Sequence, residues 1–125
     1  MEKKDLKPAG VFKYFEEICQ VPRPSKKEEK MIAYLKAFGA KHNLETKVLI
    51  KKPATPGKEN LQTVVLQSHI DMVCEKNNDV QHDFLTDPIE TEIDGEWLKA
   101  KGTTLGADNG IGVATELAIL ADDSI

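Results

Sequence analysis

The apolar run Val64-Val65-Leu66 leads through Gln67 and Ser68 into His69-Ile70-Asp71, and it constrains the fold more than any other stretch. Its three apolar residues do not alternate with polar ones, the pattern of a strand covered on both faces. Such a strand implies helices on either side of a sheet, hence an α/β fold. In an extended backbone the side chains at i and i+2 leave the same face, so His69 and Asp71 are expected to share a pocket while Ile70 points away. The C-terminal end of such a strand is also where open α/β sheets place their ligands.

The flanking segments fit this frame. Gly10 to Gln20 puts Val11, Phe12, Phe15, Ile18 and Cys19 on one stripe of a short amphipathic helix, with Lys13, Glu16 and Glu17 left for solvent. Val21-Pro22-Arg23-Pro24 ends it, because proline lacks an N–H and biases its predecessor toward extended geometry. Ser25 with Glu28 makes a capping-box pattern before a second helix, which carries Met31, Ile32, Tyr34, Leu35 and Phe38 to about Lys41. Glu45 to Lys51 reads as a strand, broken by Pro53-Ala54-Thr55-Pro56-Gly57.

Beyond the central run, Cys74 to Asp87 is polar and turn-rich and reads as a surface loop. Pro88 to Lys101 predicts a hairpin: Ile89, Thr91 and Ile93 alternate, and Asp94-Gly95 is a two-residue turn signal before Trp97-Leu98. The glycine-rich segment Gly102 to Gly112 then approaches a last helix bearing Val113, Leu117, Ile119 and Leu120.

Composition narrows the function classes. A chain of 125 residues, 40% hydrophobic and 30% charged, is one ordinary domain or part of one. Its net charge of -4 gives no basic surface for nucleic acid or anionic lipid. Cys19 and Cys74 are far apart, in neither a CxxC nor a zinc-ribbon spacing, and are expected to be buried thiols. The N-terminal Met1 to Pro8 has no apolar stretch after its charges, and no run approaches a membrane span, so the chain is expected in the cytoplasm.

The residues alone leave the site open. His69 and Asp71 suit either a metal ligand with its orienting carboxylate or a proton relay, but also a hydrogen-bonded strand-end histidine. Asp108 comes from a turn that is neither GxGxxG nor a P-loop, and its carboxylate would repel a phosphate. The alternative there is a tight turn with an Asx helix cap. His42 reads as exposed at a helix end, His82-Asp83 as a structural or solvated pair, and Trp97 as hairpin packing.

Taken together, Val64 to Val73, Phe84-x-x-Asp87-Pro88-Ile89, Asp94-Gly95-Glu96-Trp97-Leu98 and Gly102-Thr103-Thr104-Leu105-Gly106-Ala107-Asp108-Asn109-Gly110-Ile111-Gly112 resemble the aminoacyl-histidine dipeptidases, within the co-catalytic zinc exopeptidases. The resemblance implies residues 1–125 of a partial three-layer α/β/α catalytic domain with a mixed sheet. It implies hydrolysis of Xaa-His dipeptides with two divalent metal ions, most simply zinc. His69 would bind one metal and Asp108 would bridge both. Asp71 would act in catalysis by accepting a hydrogen bond from the His69 ring. In that family a water between the metals attacks the peptide carbonyl, one metal polarises that carbonyl, and a glutamate is the general base. A non-proline cis peptide at Asp108–Asn109 is implied as well.

The family's Glu-Glu pair, its later ligands and its lid or dimerisation domain would lie beyond Ile125, so the chain alone is expected to be inactive. The connection near Val48-Leu49 reads as shortened relative to the family. Two other readings stand beside this one: a stand-alone binding module with the same partial fold, and another co-catalytic zinc exopeptidase. The expected partner is a small dipeptide, with neither nucleic acid nor membrane; exposed sheet edges leave a homo-oligomer open.

Overall fold

The computed structural model describes residues 2–47 and 49–125. A 3-10 turn at Lys3–Asp5 precedes helix α1 (Ala9–Cys19), helix α2 (Glu29–Lys41), strands β1 (Glu45–Thr46) and β2 (Ile50–Lys51), strands β3 (Thr91–Asp94) and β4 (Trp97–Ala100), and helix α3 (Ala107–Ala121). The chain is a partial α/β domain, mixed in helix and strand. Its named strands form two antiparallel pairs, β1 with β2 and β3 with β4, and an isolated parallel bridge joins Pro24 to Met72.

The core lies between α1 and α3. Helix α1 buries Tyr14, Phe15, Ile18 and Cys19, and α3 buries Gly110, Val113, Ala114 and Leu117, each set recurring at the three-to-four-residue spacing of one helix face. The two helices approach closely at Gly10, where a Cβ would be in ordinary van der Waals contact with the Ala118 Cβ at 3.5 Å. Met31 and Phe38 close the core from α2, and Met72 and Ile89 close it from the loops. The α1 stripe thus turns slightly from the expected one: Tyr14 enters the core, edge-on to Phe38 at 5.5 Å, and Phe12 stays partly exposed.

Several local expectations are corrected. Ser25 does not cap α2; its hydroxyl donates to Asp71 Oδ2 at 2.5 Å, and α2 begins at Glu29. The predicted strand 45–51 is a tight hairpin with Thr46 opposite Ile50; the shortened connection expected at Val48 lies outside the described residues, as does Met1 at the N-terminus. The second hairpin pairs Asp94 with Trp97, so its two loop residues are Gly95 and Glu96, one position along from the turn expected. Only Gly95 has positive φ, +60°, which fits a type II′ turn. Trp97 is 73% exposed at that tip instead of packing. His42 is half-buried against Phe38, ring centres 4.4 Å apart, and His82 packs on Phe84 at the same distance.

The central run differs most. Val64 and Val65 are 80% and 75% exposed, and among the described residues no strand pairs with them. A strand covered on both faces needs neighbouring strands to satisfy its backbone and overlying helices to cover its side chains. Here the run instead lines a cleft of about 960 Å³ together with Ile32 and Leu35 of α2 and Ile119 and Leu120 of α3.

Candidate functional site

Two backbone connections bring the distant segments together. After Asp71 the chain runs beside the glycine-rich segment: the Thr104 N–H donates to Glu75 O at 2.9 Å, the Asn77 N–H to Gly102 O at 2.8 Å, and Lys76 bridges Thr103. The Thr104 hydroxyl adds a bond to Val73 O at 2.7 Å. On the other side, the Met72 N–H donates to Arg23 O at 3.0 Å. Residues 69–72 are therefore held between the proline-rich link and the approach to α3.

That approach is bent around Asp108. Gly106 has φ +72°, a left-handed conformation that suits glycine. Asp108 and Asn109 are non-helical, and the peptide between them is cis, as the resemblance implies. Asn109 Oδ1 accepts the Gly112 N–H at 3.1 Å and so caps the regular part of α3, which realises the Asx cap read from the sequence with Asn109 in that role. A Cβ on Gly112 would stand 2.3 Å from that oxygen, which explains the glycine.

His69, Asp71 and Asp108 meet. His69 Nδ1 lies 3.1 Å from Asp71 Oδ1, and His69 Nε2 lies 3.0 Å from Asp108 Oδ1. Asp71 is braced from behind by the Ser25 hydroxyl. Next to His69, Ser68 donates to Glu116 Oε2 on α3 at 2.8 Å. The site is open: the Asp108 side chain is 98% exposed and that of His69 49%.

A neutral imidazole has one N–H, so it can donate to only one of two flanking carboxylates. The hydrogen bond to Asp108, aided by Asp71, raises the His69 pKa above its ordinary value. The Ser25 hydroxyl first, then the His69 ring, holds the Asp71 carboxyl below its usual range. Placing a cation between Nε2 and Asp108 would resolve the same conflict. An imidazole nitrogen and a carboxylate oxygen are donors of the right kind for zinc. They are also too few, since among the described residues no three His, Cys, Asp or Glu side chains converge on one point.

The sequence reading missed Arg23, a buried guanidinium 1% exposed that reaches both halves of the site. Nη2 donates to Gly106 O at 2.8 Å and Nη1 to Ile70 O at 3.3 Å. The available signal was an arginine between two prolines, a poor place for a solvated side chain to be read from spacing alone.

The fold has a counterpart in a solved structure. The chain matches the crystal structure of an aminoacylhistidine dipeptidase from Vibrio alginolyticus with a TM-score of 0.94 and 50% identity, over 100% of this chain and 27% of that one. The chain is similar to the aminoacylhistidine dipeptidases. The cytosol non-specific dipeptidase of Escherichia coli (strain K12) is also 50% identical to it over 130 residues, 99% of this chain and 27% of the relative. The dipeptidase-like chain therefore spans about a quarter of the length of these relatives. No protein-family model matches it. Among the described residues, no helix is long and apolar enough to cross a membrane.

Proposed function

We propose that this chain supplies the N-terminal part of the catalytic domain of a cytoplasmic metallodipeptidase that cleaves Xaa-His dipeptides. The observation carrying the reading is the line Asp71–His69–Asp108, with a carboxylate on each ring nitrogen. His69 Nε2 and Asp108 would hold metal, with Asp108 shared between two ions, most simply zinc. Asp71 would accept a hydrogen bond from the His69 Nδ1–H and so fix which ring nitrogen is free to bind. A divalent metal held there would supply Lewis acidity toward the peptide carbonyl and an activated water. The remaining ligands and the general base come from residues outside this chain, in keeping with the two-donor count.

The test is a chimera in which this chain replaces the matching segment of the Escherichia coli relative. Zinc-dependent hydrolysis of β-alanyl-histidine is expected, with loss of activity in His69→Ala and in Asp108→Ala. The isolated chain should not hydrolyse the dipeptide. Activity retained in either substituted chimera would refute the metal roles. A second reading, a stand-alone binding module, draws on the same two-donor count; a chimera that folds but never hydrolyses dipeptides would favour it.

A further inference from the structure

Arg23 is the largest fully buried side chain, and its partners are unusual for a buried cation. They are two backbone carbonyls, Gly106 O and Ile70 O, while its Nε has no partner among the described residues. Burying a guanidinium costs several kcal/mol, roughly, and replacing buried charge by a well-packed apolar side chain is often neutral or stabilising. As a source of stability alone, Arg23 is a poor choice. As a planar donor that fixes two acceptors at once, it is a good one.

The positions of those acceptors are what matter. Ile70 stands between His69 and Asp71, and Gly106 opens the turn that carries Asp108. Gly106 O also accepts the Gly110 N–H at 3.1 Å, so the same carbonyl closes the turn around Asp108. The guanidinium occupies the space inside that turn. A Cβ on Gly106 would stand 2.6 Å from Nη2, and one on Gly110 2.7 Å from it. A Cβ on Gly106 would also meet the Met72 sulfur at 2.9 Å and one on Gly110 the Phe15 ring at 3.2 Å, so the turn closes tightly on the guanidinium and the core beside it.

We infer that Arg23 is a positioning residue: its guanidinium pins the Ile70 and Gly106 carbonyls together and so sets the spacing of His69 and Asp108. Its functional meaning rests on the metal reading of those two side chains; the positioning itself does not.

The experiment is NMR on the metal-free 125-residue chain, reading nuclear Overhauser contacts between the His69 ring protons and the Asp108 Hβ protons. In Arg23→Met, the contacts between α1 and α3 persist and the His69–Asp108 contacts are lost. Arg23→Lys, which keeps the charge but lacks the planar fork, restores them in part. A residue that merely filled volume would behave in the opposite order, Met serving better than Lys. Gly110→Ala leaves Arg23 in place but crowds its Nη2 and stands 3.2 Å from the Phe15 ring; it carries the test, if Arg23→Met does not fold, when the α1–α3 contacts around Phe15 persist while the His69–Asp108 contacts are lost. His69–Asp108 contacts at wild-type strength in a folded Arg23→Met or Gly110→Ala chain overturn the inference. Loss of the contacts in these variants, alongside an active His69→Ala chimera, would overturn the metal reading and leave the positioning standing.

Discussion

His69 Nε2 lies 3.0 Å from Asp108 Oδ1, across 39 residues of chain. The pairing is made by the backbone on both sides: the 73–77 segment runs along 102–104, and Arg23 ties Ile70 to Gly106. The site is therefore a product of the loops, while the helices behind it provide the rigid support.

That support is testable at Leu117, which is 1% exposed on the α3 face toward α1. Leu117→Ala should lower the unfolding free energy by about 2 to 5 kcal/mol, the range for a buried leucine cut to alanine. Urea denaturation followed by circular dichroism measures it, and a loss under about 1 kcal/mol would mean that the α1–α3 interface is not the core.

The last turn of α3 depends on Lys52. Its ammonium donates to Ile119 O at 3.3 Å, to Leu120 O at 3.1 Å and to Asp122 O, adding to the Asp122 N–H that Ile119 O already accepts at 3.2 Å and opposing the negative end of the helix dipole. Lys52→Met should cost about 1 kcal/mol and speed amide exchange near the end of α3. Unchanged exchange there would show the cap to be idle.

Stability should fall at alkaline pH. Burial pushes the Cys19 thiol up from 9.0 to about 12, and burial with the Glu17 hydrogen bond raises the Tyr34 phenol. Both groups are neutral in the fold, so their contribution is fully present below their unfolded pKa values. For Cys19 it is lost as pH rises from 9.0 toward about 12. The urea midpoint should drop over that window, and Cys19→Ala should make the drop shallower. An identical pH profile in Cys19→Ala would contradict this assignment.

The two thiols should also differ in chemistry. Cys19 is buried and Cys74 only half-buried, and burial is the leading cause of the raised pKa of each. Since the thiolate is the reactive form, Cys74 should react with iodoacetamide first and Cys19 only on unfolding. Mass spectrometry of the labelled native chain decides it; equal labelling of both would refute the burial of Cys19.

How much of this was legible in the sequence depends on how local each cause is. Helix periodicity gave α1, α2 and α3 to within a few residues, and the Asp94-Gly95 signal gave the second hairpin, because these elements are set by neighbours in the chain. His69, Asp71 and Asp108 were also legible as candidates, the first two from the i, i+2 rule and the third from its glycine-rich setting. Ser25 and Glu28 stand at the capping-box spacing, but the Ser25 hydroxyl finds its partner in Asp71, 46 residues away. Arg23 was invisible for the same reason, since nothing within its own turn of chain says which carbonyls it will meet. The run Val64 to Leu66 carries a pattern for neighbours that no strand among the described residues supplies.

The central claim is that His69 and Asp108 hold metal together. Its most direct test is the zinc content of the purified chimera with the Escherichia coli relative, measured by plasma mass spectrometry. The account predicts two zinc ions in the unsubstituted chimera, a lower content in His69→Ala, and loss of both in Asp108→Ala. Two zinc ions retained in folded His69→Ala and Asp108→Ala chimeras would contradict it.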